Sequence, residues 1–115
     1  MLLYATDLIF TTRISAEARA QGARLEIARG LTSMEGRLAD SPELVIVDLD
    51  ADDAVAAISA AAATSPRPRI VAFVAHVRAD LAAEARSAGA DEVLARSAFV
   101  ARLPGLVASL GQPPA

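Results

Sequence analysis

At 115 residues the chain has the length of one domain, and such a chain buries roughly two-thirds of the surface its unfolded form exposes. Hydrophobic residues make up 54% and aromatic ones only 3%, which excludes disorder and leaves Ala, Leu, Val and Ile to build the core. A net charge of −3 excludes an electrostatic footprint for nucleic acid. The lack of cysteine and lysine excludes thiol chemistry, disulfides and every lysine-dependent mechanism.

The chain opens on Met1-Leu2-Leu3-Tyr4, with no basic stretch followed by a long apolar one, so no signal peptide is expected. No apolar run approaches the roughly 20 residues of a spanning helix. A cytoplasmic protein with neither membrane nor nucleic acid as partner is the expectation.

Residues 2–5 form a short apolar run, the mark of a strand buried on both faces as in a parallel sheet. Residues 6–21 read as a helix, with Phe10, Ile14 and Ala18 at helical spacing and Gly22 as its C-cap. A weaker, alternating stretch at 24–28 reads as a second strand. The helix at 32–39 opens with Thr32-Ser33-Met34-Glu35, the pattern of a capping box. A third strand spans 44–47. The helix at 52–64 begins with Asp52 and Asp53, which suit a helix N-terminus, and stops before Pro66. Its Ala-rich stretch near Ala60 reads as a good helix former, not as low complexity.

A fourth strand at 70–75 leads to a helix at 79–88 that Gly89 stops, and 93–95 is the fifth strand. Ser97 is a natural N-cap for the last helix, 98–110, although Pro104 inside it should kink or break it. Phe99, Leu103, Leu106, Val107 and Leu110 make a core-facing stripe on that helix. The opposite face shows Val100, Ala101, Pro104, Gly105 and Ala108, with Arg102 the charged neighbour. A helix so apolar all round is expected to meet a protein partner or a second copy, and a plain surface of small residues is the alternative. Residues 1–110 read as one domain without repeat or linker, and 111–115 as a frayed tail.

Five strands alternating with five helices imply an α/β fold: a doubly wound, five-stranded parallel sheet between two helical layers. Ligands of such sheets bind at the carboxyl ends of the strands. Thr6-Asp7, the run from Asp48 to Asp53, Val74-Ala75-His76 and Arg96-Ser97 fall there. Asp7, Asp48 and Asp50 thus outline an acidic pocket, with Arg96 as its charge partner. Carboxylates such as Asp7 and Asp48 are natural ligands of magnesium, and an aspartate can take a phosphoryl group that a nearby cation then pairs with. The bland alternatives are that Asp48 caps a loop, that Arg96 only neutralises the cluster, and that lone His76 is a loop residue.

At this point the chain resembles the receiver domains of bacterial response regulators, over residues 2–110. The resemblance is carried by Glu43-Leu44-Val45-Ile46-Val47-Asp48-Leu49 and by Ala88-Gly89-Ala90-Asp91-Glu92-Val93-Leu94-Ala95-Arg96. It implies the strand order 2-1-3-4-5, a phosphoacceptor at Asp48 and a magnesium site beside it. The departures from the family's pattern are specific. Its acidic pair at the end of strand one falls on Ala5 and Thr6, with Asp7 one residue late. Its strand-four hydroxyl falls on Val74, its strand-five aromatic on Val93, its lysine on Arg96 and its cis-proline on Ser97. Valine cannot donate a hydrogen bond to a phosphoryl oxygen. The resemblance therefore implies a degenerate receiver, a signalling or interaction domain with an incomplete phosphorylation site and no catalysis of its own. A phosphorylation-competent receiver using Asp48 is one alternative. A flavodoxin-like cofactor binder or small enzyme is the other, disfavoured by the glycine-free stretch after the first strand.

Overall fold

The structure, a computed structural model, describes residues 1–76 and 78–110; the expected frayed tail at 111–115 lies outside the described residues. The strands are β1 (Leu2–Tyr4), β2 (Glu26–Ala28), β3 (Leu44–Asp48), β4 (Arg69–Val74) and β5 (Glu92–Ala95). The helices are α1 (Leu8–Ala20), α2 (Leu31–Leu38), α3 (Ala54–Ala62), α4 (Ala79–Ala88) and α5 (Arg96–Ala108). All pairings are parallel, in the order β2-β1-β3-β4-β5. Both the expected architecture and the expected strand order are observed.

The apolar runs are continuous because each strand is covered twice. Side chains alternate between faces along a strand. Tyr4, Val45, Val47, Ile70 and Ala72 meet α2, α3 and α4, while Leu3, Leu44, Ile46, Val71 and Phe73 meet α1 and α5. Beyond the sheet no helix among the described residues is long and apolar enough to cross a membrane.

Four helix starts depart from expectation. Helix α1 starts at Leu8, since Asp7 is its N-cap and its Oδ1 accepts from Ile9 and Phe10 N–H at 2.9 and 3.1 Å. The capping box does not form: α2 starts at Leu31 behind an extended Gly30, which places Thr32 and Ser33 inside the helix. Helix α3 starts at Ala54, and Asp53 sits before it at φ 60° without a side-chain cap bond. The preceding turn is pinned instead by Tyr4, whose hydroxyl donates to the Asp52 carbonyl at 2.7 Å.

Helix α5 starts directly after β5, with Ala95 at its cap and Ser97 in its first turn. Pro104 does not break it. Proline removes the N–H that would reach Val100, but buried Phe99, Leu103, Leu106 and Val107 hold the helix on the sheet. The Pro104 carbonyl also accepts from Gln21 Nε2 at 3.0 Å.

Candidate functional site

The carboxyl edge of the sheet is where the chemistry-bearing residues meet. Asp48 is the last residue of β3, the strand between β1 and β4, and it pairs in register with Phe73. Only 2% of Asp48 is exposed. Its Oδ1 accepts the Asp50 N–H at 2.9 Å, a turn that aspartate forms with its own backbone two residues on. Its other oxygen accepts nothing from the described residues. Asp50 is exposed, and its Oδ2 accepts the Ala75 N–H at 3.1 Å, joining the loop after β3 to the end of β4.

Asp7 lies across the cleft. One of its oxygens is committed to the α1 cap, and Oδ2 faces a guanidinium nitrogen of Arg96 at 3.7 Å. Arg96 does not lie in ion-pair distance of Asp48. The first residue of α5, it lays its guanidinium carbon 4.7 Å from the Phe10 ring centroid, and its Nε is buried without a hydrogen-bond partner. Beneath it the three phenylalanines stack, Phe10 to Phe73 at 4.7 Å and Phe73 to Phe99 at 4.6 Å. An open groove of about 530 Å³ runs past Phe10, Arg13, Arg96 and Val100.

Burial pushes the Asp48 carboxyl above the usual carboxylate range. The hydrogen bond from Asp50 N–H opposes this, the charge of Asp50 adds to it, Arg96 opposes it and Asp7 adds to it. Arg96 thus acts on Asp48 through space, from its seat on Phe10 and Asp7.

The predicted residues Asp7, Asp48, Asp50 and Arg96 therefore share one edge of the sheet. The partners differ from a simple Asp48–Arg96 pair. His76 is exposed just past β4. Val74 is buried at the end of β4 and Val93 half-buried in β5. On α5, Ala101, Pro104, Gly105 and Ala108 are exposed and Val100 half-buried. The Arg96–Ser97 bond is trans, Ser65–Pro66 being the cis bond among the described residues. Two participants escape sequence reasoning, the Phe10 ring under Arg96 and the Ala75 N–H. Phe10 reads only as a core residue, and an alanine carries no signal for its amide. Leu8 and Ile9, 62% and 84% exposed, flank the Asp7 cap and read in sequence as ordinary helix residues.

As a magnesium site the cleft is thin. Among the described residues no group of three or more His, Asp or Glu side chains is placed to hold a metal ion.

No family model matches the sequence, and no curated protein does. Solved structures do match. The receiver domain of NtrX from Brucella abortus is 20% identical with a TM-score of 0.77, over 94% of this chain and 93% of that one. HP1043, an orphan response regulator of H. pylori, is 18% identical with a TM-score of 0.71, over 92% and 93%. A response regulator of Burkholderia pseudomallei, solved with a phosphorylated aspartic acid, calcium ion and citrate, is 20% identical with a TM-score of 0.73, over 97% and 74%. The chain has the fold of a response-regulator receiver domain.

Proposed function

We propose that the chain is a receiver-type signalling module that works through protein contacts, with an incomplete phosphorylation site at Asp48. The observation that carries this reading is the surroundings of Asp48. Asp48 ends β3, Val74 is buried at the end of β4 and Val93 is half-buried in β5; by the resemblance these three take the places of the phosphoacceptor, a hydroxyl and an aromatic ring. With valine at both places, a charge gained at Asp48 has no paired hydroxyl and ring to move. The nearby cation is held on Phe10 and Asp7.

Magnesium, when bound to a receiver, supplies charge neutralisation beside the phosphoacceptor. Here the donors do not fit it well. Asp7 is shared between a helix cap and Arg96, and Asp48 has one oxygen left.

The contact surface in this reading is the outer face of α5, where Ala101, Pro104, Gly105 and Ala108 are exposed beside Val100. Its border is fixed by Glu92, whose Oε2 pairs with Arg69 at 2.8 Å and Arg102 at 2.9 Å. A protein partner or a second copy of the chain would sit there. Sedimentation of the chain beside Ala101→Glu tests the second case, with a dimer lost in the variant as the expected result.

The phosphorylation half is tested by intact-mass measurement after incubation with magnesium and acetyl phosphate. The expected result is no phosphoryl adduct and an unchanged amide spectrum. A second reading, a competent receiver, is favoured by the Asp48 oxygen that the described residues leave unbonded. An adduct lost in Asp48→Asn, with shifts reaching α5, would establish it.

A further inference from the structure

Two backbone N–H groups border Asp48 where β3 and β4 end, those of Asp50 and Ala75. Both are taken by the chain's own carboxylates: Asp50 N–H donates to Asp48 Oδ1, and Ala75 N–H donates to Asp50 Oδ2. N–H groups at such strand ends and turns are what a protein offers to an anion, and hydrogen bonds to a charged acceptor are the stronger kind. We propose that Asp50 is a built-in anion, whose carboxylate holds the Ala75 N–H and keeps a second anion off Asp48. The proposal rests on the second reading above, in which Asp48 is an anion-accepting position.

Its geometry sets it apart from a chance surface bond. The contact spans 25 positions of sequence and ties together the two loops that flank Asp48. An anion carried by Asp48 has three donors within reach of this edge. Of these, one N–H is bonded to Asp48 itself, another to Asp50, and the guanidinium of Arg96 is seated on Phe10 and Asp7. The charge of Asp50 also opposes charge at Asp48. Asp50 is exposed, so water can take its carboxylate when it swings away, and the block is displaceable.

Asp50→Ala frees the Ala75 N–H, and Asp50→Asn keeps an acceptor without the charge. Asp50 is exposed, so both variants leave the fold intact. Beryllofluoride with magnesium is titrated into the full chain and each variant while the Ala75 amide resonance is followed. Half-saturation at a concentration at least about tenfold lower in Asp50→Ala than in the natural chain, with Asp50→Asn between them, is the expected result. Equal half-saturation in all three overturns the blocking role and leaves the reading of Asp48 standing. An Ala75 resonance that does not change between the natural chain and Asp50→Ala overturns the contact itself. Binding to none of the three, with that resonance still moved by Asp50→Ala, overturns the blocking role together with the reading of Asp48.

Discussion

The two sides of the sheet are built from different materials. Under α2, α3 and α4 the core contains no phenylalanine, and the alanines Ala54, Ala57, Ala61 and Ala85 supply much of the helical surface. Under α1 and α5 lie all three phenylalanines of the chain. Alanine lets helices approach closely and gives each element little to grip. Phenylalanine buries a large ring and transmits displacement to whatever it stacks on. The difference has a consequence for the cleft. Arg96 rests on Phe10, and Phe10 stacks on Phe73 and through it Phe99, so the charged edge is in contact with the aromatic side.

Truncation at the centre of the aromatic side gives the largest expected effect. Phe99→Ala should cost about 3–5 kcal/mol of stability in urea unfolding, because the ring is fully buried, with Phe73 at 4.6 Å and Phe10 at 6.0 Å. On the alanine side Ile58→Val, also fully buried, should cost only about 0.5–1.5 kcal/mol. Similar losses at the two positions would break the comparison.

The alanine side should be more sensitive to added volume. Gly89 ends α4 at φ +125°, and a Cβ there would lie 2.5 Å from the Ala62 Cβ. Backbone strain of about 1–3 kcal/mol adds to overpacking of a similar size. Gly89→Ala should therefore lose about 2–6 kcal/mol, read from the unfolding midpoint and slope. A loss under about 1 kcal/mol would mean that α3 and α4 yield, and that close approach does not govern this side.

At the cleft the sign of the effect is the informative quantity. Burial raises the Asp48 pKa in the folded chain, so the folded state holds a proton that the unfolded state has already released. Stability therefore falls as pH rises from the ordinary carboxylate value through the raised one, and stays lower above it. Asp48→Asn should remove that loss while its amide oxygen still accepts the Asp50 N–H. The variant should equal the natural chain at low pH and exceed it at neutral pH in urea unfolding. A variant less stable at neutral pH would mean that the ionised carboxylate is well paired, which the geometry around Arg96 does not provide.

The order of elements is legible in the sequence because a strand covered on both faces leaves an unbroken apolar run, as 44–47 and 70–75 do. Helix starts are less legible, because Thr32, Asp52 and Ser97 carry the chemistry of a cap whether or not the backbone stops there. Gly30 and Ala95 take those places with no side-chain bond. The site divides in the same way. Asp48 is legible from its run and its position. The seat of Arg96 and the reach of Asp50 depend on which strand ends lie side by side. Residues 50 and 75 become neighbours only through the β3–β4 register, and local sequence has no term for that.

The smallest expected effect is at Arg96, and it tests where that side chain belongs. A guanidinium over a ring at a partly exposed site contributes about 0.5–1 kcal/mol, and an exposed ion pair no more than about 1. Arg96→Met keeps an unbranched stem over Phe10 and removes the charge, so the loss of stability should stay below about 1 kcal/mol. Arg96→Ala uncovers the ring as well and should cost more. Both variants should raise the Asp48 pKa further, since Arg96 is the cation that lowers it. The carboxyl carbon resonance of Asp48 reads that shift directly. A loss of about 3 kcal/mol or more in Arg96→Met would instead be the mark of a buried charge left without its partner. Arg96 would then belong to Asp48 and not to Phe10, and the cleft would be tied to β3 more than to the aromatic side.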